Sequence, residues 1–279
     1  MPDIIEPLLV NTSIDTDTLR SWFTSTQDLP YVIVRLSAEH ADQLQKLLGI
    51  PVRRCYISDD LLVQRATVLG LSRSDVLATR LPDAGSTMSG DFGEVLAYLY
   101  HVAHQYPRQL LGPKKWRLKQ DRTKPSPHSD VIHFFLPSWP NASEDDELVC
   151  SEVKTKATDG NSRPISTAIA DSQKDCTSRL TKTLVWLRER AIGEDLGELS
   201  LDQLNRFINA TDHPSHKKEF YAVVAICGDL VAKELLADPP VVPPGHNLLL
   251  IVIPKLKEVY SAVFESAGDS VDLDDGEAI

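Results

Sequence analysis

Apolar residues recur along the chain at two spacings, one of every second residue and one of every third or fourth, and the two take turns. Short apolar runs in YVIVRLS (31–37), Val131 to Leu136, Leu148 to Lys154, EFYAVVAICG (219–228) and NLLLIVIP (247–254) read as strands, and VRRCYIS (52–58) as a further short one. Helical spacing marks a stretch after Asp15 to Asp17, AEHADQLQKLLG (38–49), SDDLLVQRATVLG (58–70) and SRSDVLATRLP (72–82), where Ser72 and Asp75 form a capping pair. It returns in GDFGEVLAYLYHVAHQYP (90–107), in a long helix from Pro164 to Gly193, in SLDQLNRFINA (200–210) and in PKLKEVYSAVFESA (254–267). Buried strands separated by helices predict an α/β fold, a mixed central sheet with helices on both faces.

The strand at Leu148 to Lys154 carries the first chemical signal. Its period of two sends Leu148, Cys150, Glu152 and Lys154 to one face and Val149, Ser151 and Val153 to the other. A carboxylate and an ammonium therefore continue a face that begins apolar. Burying either charge costs several kcal/mol unless it is paired or binds something. Asp130, at the head of the preceding apolar run, adds a second acid, and the polar excursion Pro137 to Glu147 fits a long connection between adjacent strands. Two acids and a lysine so arranged suit metal-assisted hydrolysis; a salt bridge at a frayed strand end would look the same. His128 and His133, five apart, point to opposite faces of one strand and read as structural.

Composition narrows the setting. The chain has 279 residues, 42% of them hydrophobic, enough to bury a sizeable core. No apolar run approaches a membrane span and the first residues are acidic where a signal peptide is basic, so a cytoplasmic protein is expected. Cys55, Cys150, Cys176 and Cys227 are widely separated and read as reduced core residues. The net charge of −11 argues against a uniformly nucleic-acid-binding surface. Arg108 to Lys124, however, holds seven basic residues against one acid, with Trp116 among them. Lys114, Lys115, Trp116, Arg117 and Lys119 fit a surface that tracks a phosphate backbone and stacks on a base, or else a solvated strand edge. Glu265 to Ile279 holds six acids and no base, and residues 266–279 are expected to form a disordered acidic tail. Residues 1–80 read as a mixed α/β segment of unassigned role, either packing on the 81–265 core or serving as a docking surface.

The order Asp130, Glu152, Lys154 resembles the PD-(D/E)xK nuclease superfamily, although Ser129 stands where the signature has proline. That resemblance implies a restriction-endonuclease-like core in which Asp130 and Glu152 hold Mg²⁺ or Mn²⁺ and Lys154 assists hydrolysis of a phosphodiester. It also implies an extra acid on the preceding helix, matched by Gly93-Glu94, so that Glu94 joins the metal ligands; a first-turn glutamate favoured by the helix dipole is the alternative. A Gln or Lys on the following helix often completes such sites, and Gln173 is the best-placed residue for that role, unless it is an ordinary exposed helix position.

Gly93 to Tyr98, Pro113-Lys114-Lys115, Asp130, Glu152, Lys154, Asp171 to Asp175, and Leu250 to Pro254 before a terminal helix are together similar to the HamA effector family of Hachiman anti-phage systems, over roughly residues 80–265. The resemblance implies a bacterial defence nuclease acting on DNA and working with a helicase partner, HamB. A non-catalytic binding or regulatory protein retaining the nuclease fold is the competing expectation. No G-x-S-x-G elbow or glycine-rich phosphate loop supports a small-molecule hydrolase.

Overall fold

The structure is a computed structural model that describes residues 14–271 apart from 24, 28 and 29. In chain order the helices are α1 (Thr16–Trp22), α2 (Ala38–Leu47), α3 (Gly49–Tyr56), α4 (Asp59–Leu69), α5 (Arg73–Ala78) and α6 (Ser86–Gln105). They continue with α7 (Pro164–Lys174), α8 (Leu180–Ala191), α9 (Leu201–Ile208), α10 (Val231–Ala237) and α11 (Leu256–Asp269). The strands are β1 (Ser25–Gln27), β2 (Val32–Arg35), β3 (Val131–Phe135), β4 (Glu147–Lys156), β5 (Lys217–Cys227) and β6 (His246–Ile253).

The strands form one six-stranded sheet in the order β1-β2-β6-β5-β4-β3. The four central strands β2, β6, β5 and β4 run parallel, and both edges, β1 and β3, are antiparallel to their neighbours. Parallel strands need helical crossovers that cover both faces, which is why β5 and β6 are apolar almost without interruption. One face packs Val153, Val223, Ala225, Leu249 and Ile251 against α6 and α11. The other packs Ala222, Val224, Leu250 and Val252 under Ile165, Ala168 and Ile169 of α7. Toward the β3 edge that same face meets Leu184 and Leu187 of α8 and Leu204 and Phe207 of α9. The expected α/β architecture is thus observed.

Several boundaries differ from the sequence reading. VRRCYIS is mostly the helix α3, not a strand: its Gly49 lies so close to α11 that an added Cβ would meet Ser266, and this packing overrides the β-branched and aromatic residues of the segment. Residues 14–80 follow the first of the two alternatives left open for them and pack on the rest of the chain: β2 extends the sheet beside β6, and Trp22, Val34, Leu44 and Val52 belong to the same core cluster as α6. The stretch before residue 14 lies outside the described residues. Residues 266–271, expected to belong to a disordered acidic tail, are ordered. Ser266 to Asp269 are the last turn of α11, Ser270 accepts a hydrogen bond from Arg53 through its carbonyl, and Val271 is buried with Ile57, Leu62 and Leu77. Residues 272–279 are outside the described set. Among the described residues no helix is long and apolar enough to cross a membrane.

Candidate active site

The long helix expected over 164–193 is continuous but not uniform. Between α7 and α8 lies a single π-turn, Asp175–Arg179, in which Leu180 N–H donates to Asp175 O. The wider turn admits one extra residue and rotates α8 relative to the course an unbroken α-helix would take. Asp171, Asp175 and Arg179, four residues apart, share the face turned toward the end of β4, while Gln173 is exposed and Cys176, expected in the core, is exposed as well. Gln173 is therefore replaced at the site by Asp171, Asp175 and Arg179.

β3 and β4 pair with Val131 opposite Ser151, so Asp130 and Glu152 stand at the same level where the ladder ends. Asp130 Oδ2 accepts the N–H of Val153 at 2.8 Å, which ties its carboxylate to the next strand. Glu152 is held through both oxygens: Lys154 Nζ lies 2.5 Å from Oε1 and Arg179 Nη1 3.2 Å from Oε2. The same two cations reach Asp171, at 3.0 Å from Lys154 and 3.4 Å from Arg179. Behind this square, Asp175 accepts from Ser129 Oγ at 2.9 Å, and Thr183 donates to Ser129 Oγ at 3.1 Å. Lys115 donates to the carbonyls of Ser129 and Asp130.

Glu94 arrives from α6. It is the ninth residue of that helix and not in its first turn, so the dipole explanation fails. It is brought in because Gly93 lets α6 approach β4, where any Cβ would collide with Thr155 Oγ1 and crowd Val153 Cγ1 at 3.3 Å. Glu94 is buried, and its Oε2, like Asp175 Oδ2, has no hydrogen-bond partner.

Burial and mutual repulsion shape the protonation of this cluster. Burial raises Glu94 well above the usual carboxylate range, and the charges of Asp130 and Asp91 push it further. Glu152 is raised to about 7 by burial and by Asp130, against the opposing pull of Lys154, and Asp175 to about 7 by burial and by Glu152. Burial also raises Asp130. Asp171 goes the other way: despite its burial penalty, hydrogen bonds from Lys174 and Lys154 hold it at about 2. Among the described residues no three acid, histidine or cysteine side chains already converge as a closed ligand set. Unpartnered buried carboxylate oxygens beside mutually repelling acids are nonetheless the donor chemistry a hard divalent cation neutralises.

The sign of these shifts has a consequence for stability. A carboxylate raised on folding binds its proton more tightly in the native state, so its contribution is present below the unfolded value and is lost as pH rises through the folded one. In chelator, the protein is expected to lose stability between about pH 4.5 and pH 7 through Glu152 and Asp175. Asp175→Asn should flatten that decline, as measured by melting temperature against pH; an unaltered profile would show that these acids titrate normally.

The basic segment does not lie where a phosphate track requires. Lys114, Lys115 and Trp116 are buried, the Lys114 ammonium sitting 3.9 Å from the centre of the Tyr98 ring. Arg117 donates to the Arg54 carbonyl at 2.8 Å and pairs with Asp195. Lys119 forms a buried pair with Asp91 at 2.6 Å. These side chains turn inward because the segment is a short 3-10 turn wedged under α6, not a solvent-facing strand edge. The nucleic-acid assignment for them is corrected accordingly. His133 is buried with its ring 4.5 Å from Tyr98, in line with the structural role expected of it.

Fold and cluster together define an α/β protein with an acid-rich centre at one end of its sheet, clamped by a lysine and an arginine. The sequence matches the HamA family over residues 10–267, and the chain belongs to that family, which makes it a Hachiman defence-associated protein. No curated protein matches the sequence.

Proposed function

We propose that this HamA protein is a metal-dependent nuclease that hydrolyses DNA phosphodiester bonds on a restriction-endonuclease-like core, acting as a defence effector with a helicase partner. The observation that carries the reading is the inward-facing Glu152–Lys154 pair opposite Asp130, with Glu94 behind it carrying an unpartnered oxygen. Asp130, Glu152 and Glu94 would hold Mg²⁺ or Mn²⁺, which suit hard oxygen ligands, and the metal would supply an activated water and charge neutralisation at the phosphate. Lys154, kept protonated by Glu152 although burial opposes it, offers a fixed positive charge to the oxygens that gain charge in the transition state. Arg179 holds Glu152 and Asp171 in place from the other side. A cleft lined by Gly90, Val153, Lys154, Thr155 and Lys257 reaches Lys154.

The competing reading, a non-catalytic protein that keeps the fold, draws on the same ion network: Glu152 already has a cation on each oxygen. Two measurements on the purified protein separate them. The nuclease reading expects Mg²⁺ or Mn²⁺ to raise the melting temperature as any ligand of the native state does, and plasmid DNA to be degraded only when the metal is present. Neither stabilisation nor degradation, with and without the helicase partner, would leave the binding-protein reading standing.

A further inference from the structure

The helix that supplies Arg179 to the acid cluster carries a second pattern farther along. Lys182, Trp186 and Arg190 recur every four residues on α8, so they occupy one face, with successive members about 6 Å apart along the axis. Trp186 packs part of its ring on the Ile132–Phe134 cluster and leaves the rest accessible. Around the indole the structure gathers cations: the Arg190 guanidinium lies 6.0 Å from the ring centre and the Lys115 ammonium 5.9 Å. Lys182 is exposed on the groove floor, and Glu189 is the one acid lining it. The far wall is His128, an exposed residue with φ of 67°, whose ring stands edge-on to the indole at 6.4 Å. A non-glycine residue in that left-handed region is uncommon and is held there by its surroundings.

Two connections tie this groove to the acid cluster. Arg179, one turn before Lys182, bonds Glu152, and His128 precedes Asp130 by two residues. In a chain of net charge −11 the groove is a local reversal of sign, built around an accessible aromatic face. Such a combination is what single-stranded nucleic acid needs: a π-face for a base and a cation on either side of it for the backbone. A duplex keeps its bases stacked on one another and would leave the indole unused.

We propose that the Lys182–Trp186–Arg190 face of α8, closed by His128, is a single-strand nucleic-acid track that stacks one base on Trp186, holds the flanking phosphates on the two cations and leads the strand to the acid cluster. Its role in feeding the cluster rests on the nuclease reading; the binding itself does not.

The test uses the full chain in chelator, so that binding is read without cleavage. Trp139→Phe removes the other accessible indole, Trp22 and Trp116 being buried. Titration with oligothymidylate is expected to quench the Trp186 fluorescence, and Trp186→Phe in that background should abolish the signal. Trp186→Ala should weaken binding roughly 5- to 150-fold, the range of one lost base stack. Lys182→Ala with Arg190→Ala should lower the slope of log affinity against log salt by about 1.4, two phosphate contacts on a single strand. The surface double variant guards against a folding defect in Trp186→Ala. Binding without quenching, undiminished binding in the double variant, or equal quenching by an acidic peptide of matched charge would each overturn the track, the last in favour of a protein partner. Quenching by oligothymidylate in a protein that never cleaves DNA would instead overturn the nuclease reading and leave the track in place.

Discussion

Glu152→Gln is expected to lose at least about a hundredfold in DNA cleavage while melting at or above the wild-type temperature at pH 8. The loss has the size typical of deleting one preorganised electrostatic group from a reaction centre. The stability half of the expectation comes from the direction of the shift at Glu152. Burial and Asp130 raise this carboxyl to about 7 even though Lys154 and Arg179 touch it, so the ionised side chain is a net burden on the native state above neutrality. Glutamine keeps the shape and removes that burden. Lys154→Met should cut cleavage by a similar factor but lower the melting temperature, because Glu152 and Asp171 both lose a cation. Opposite stability changes with the same loss of activity distinguish a reaction centre from a structural ion pair, in which both variants would destabilise. Plasmid degradation by Glu152→Gln at the wild-type rate would sink the assignment.

Lys119→Met should lower the unfolding free energy by about 3–5 kcal/mol, the usual cost of removing one partner from a buried ion pair. Asp91 would be left with the Tyr56 hydroxyl, which donates to it at 2.5 Å, and burial already raises its carboxyl against the pull of Lys119. Adding Asp91→Asn should recover much of the loss, since no uncompensated charge then remains. Urea denaturation checks both. A Lys119→Met protein of wild-type stability with weakened DNA affinity would return this lysine to the surface and reinstate it as a phosphate contact.

The contrast between Lys119 and Lys182 marks how far the sequence could be read. Strands were legible wherever one face had to be apolar: Leu148 and Cys150 set the phase of β4, and that phase alone sends Glu152 and Lys154 to the helix-covered face. Asp130, Glu152 and Lys154 are accordingly gathered as the spacing implied. A 3-10 turn has no comparable period, so nothing in PKKWRLK reveals which side chains face inward, and a dense run of bases looks like a surface. The cations that α8 sets around Trp186 are spread along the helix and make no visible run. Asp171, Asp175 and Arg179 recur every four residues and so share a face of the helix, but a polar stripe of that kind looks like a solvated helix face until the sheet packed beneath it is known.

The wider turn between α7 and α8 links two parts of the fold. An extra residue in a helix is characteristically taken up as a single π-turn. Here the surplus is taken up as rotation, and the rod from Pro164 to Ala191 stays hydrogen-bonded from end to end. Its inner half grips the centre of the sheet and its outer half the β3 edge, while Arg179, at the junction, holds Glu152 and Asp171. Arg179 ends that turn, so the one local geometry that sets where α8 runs along the β3 edge also sets the side chain that holds Glu152 and Asp171.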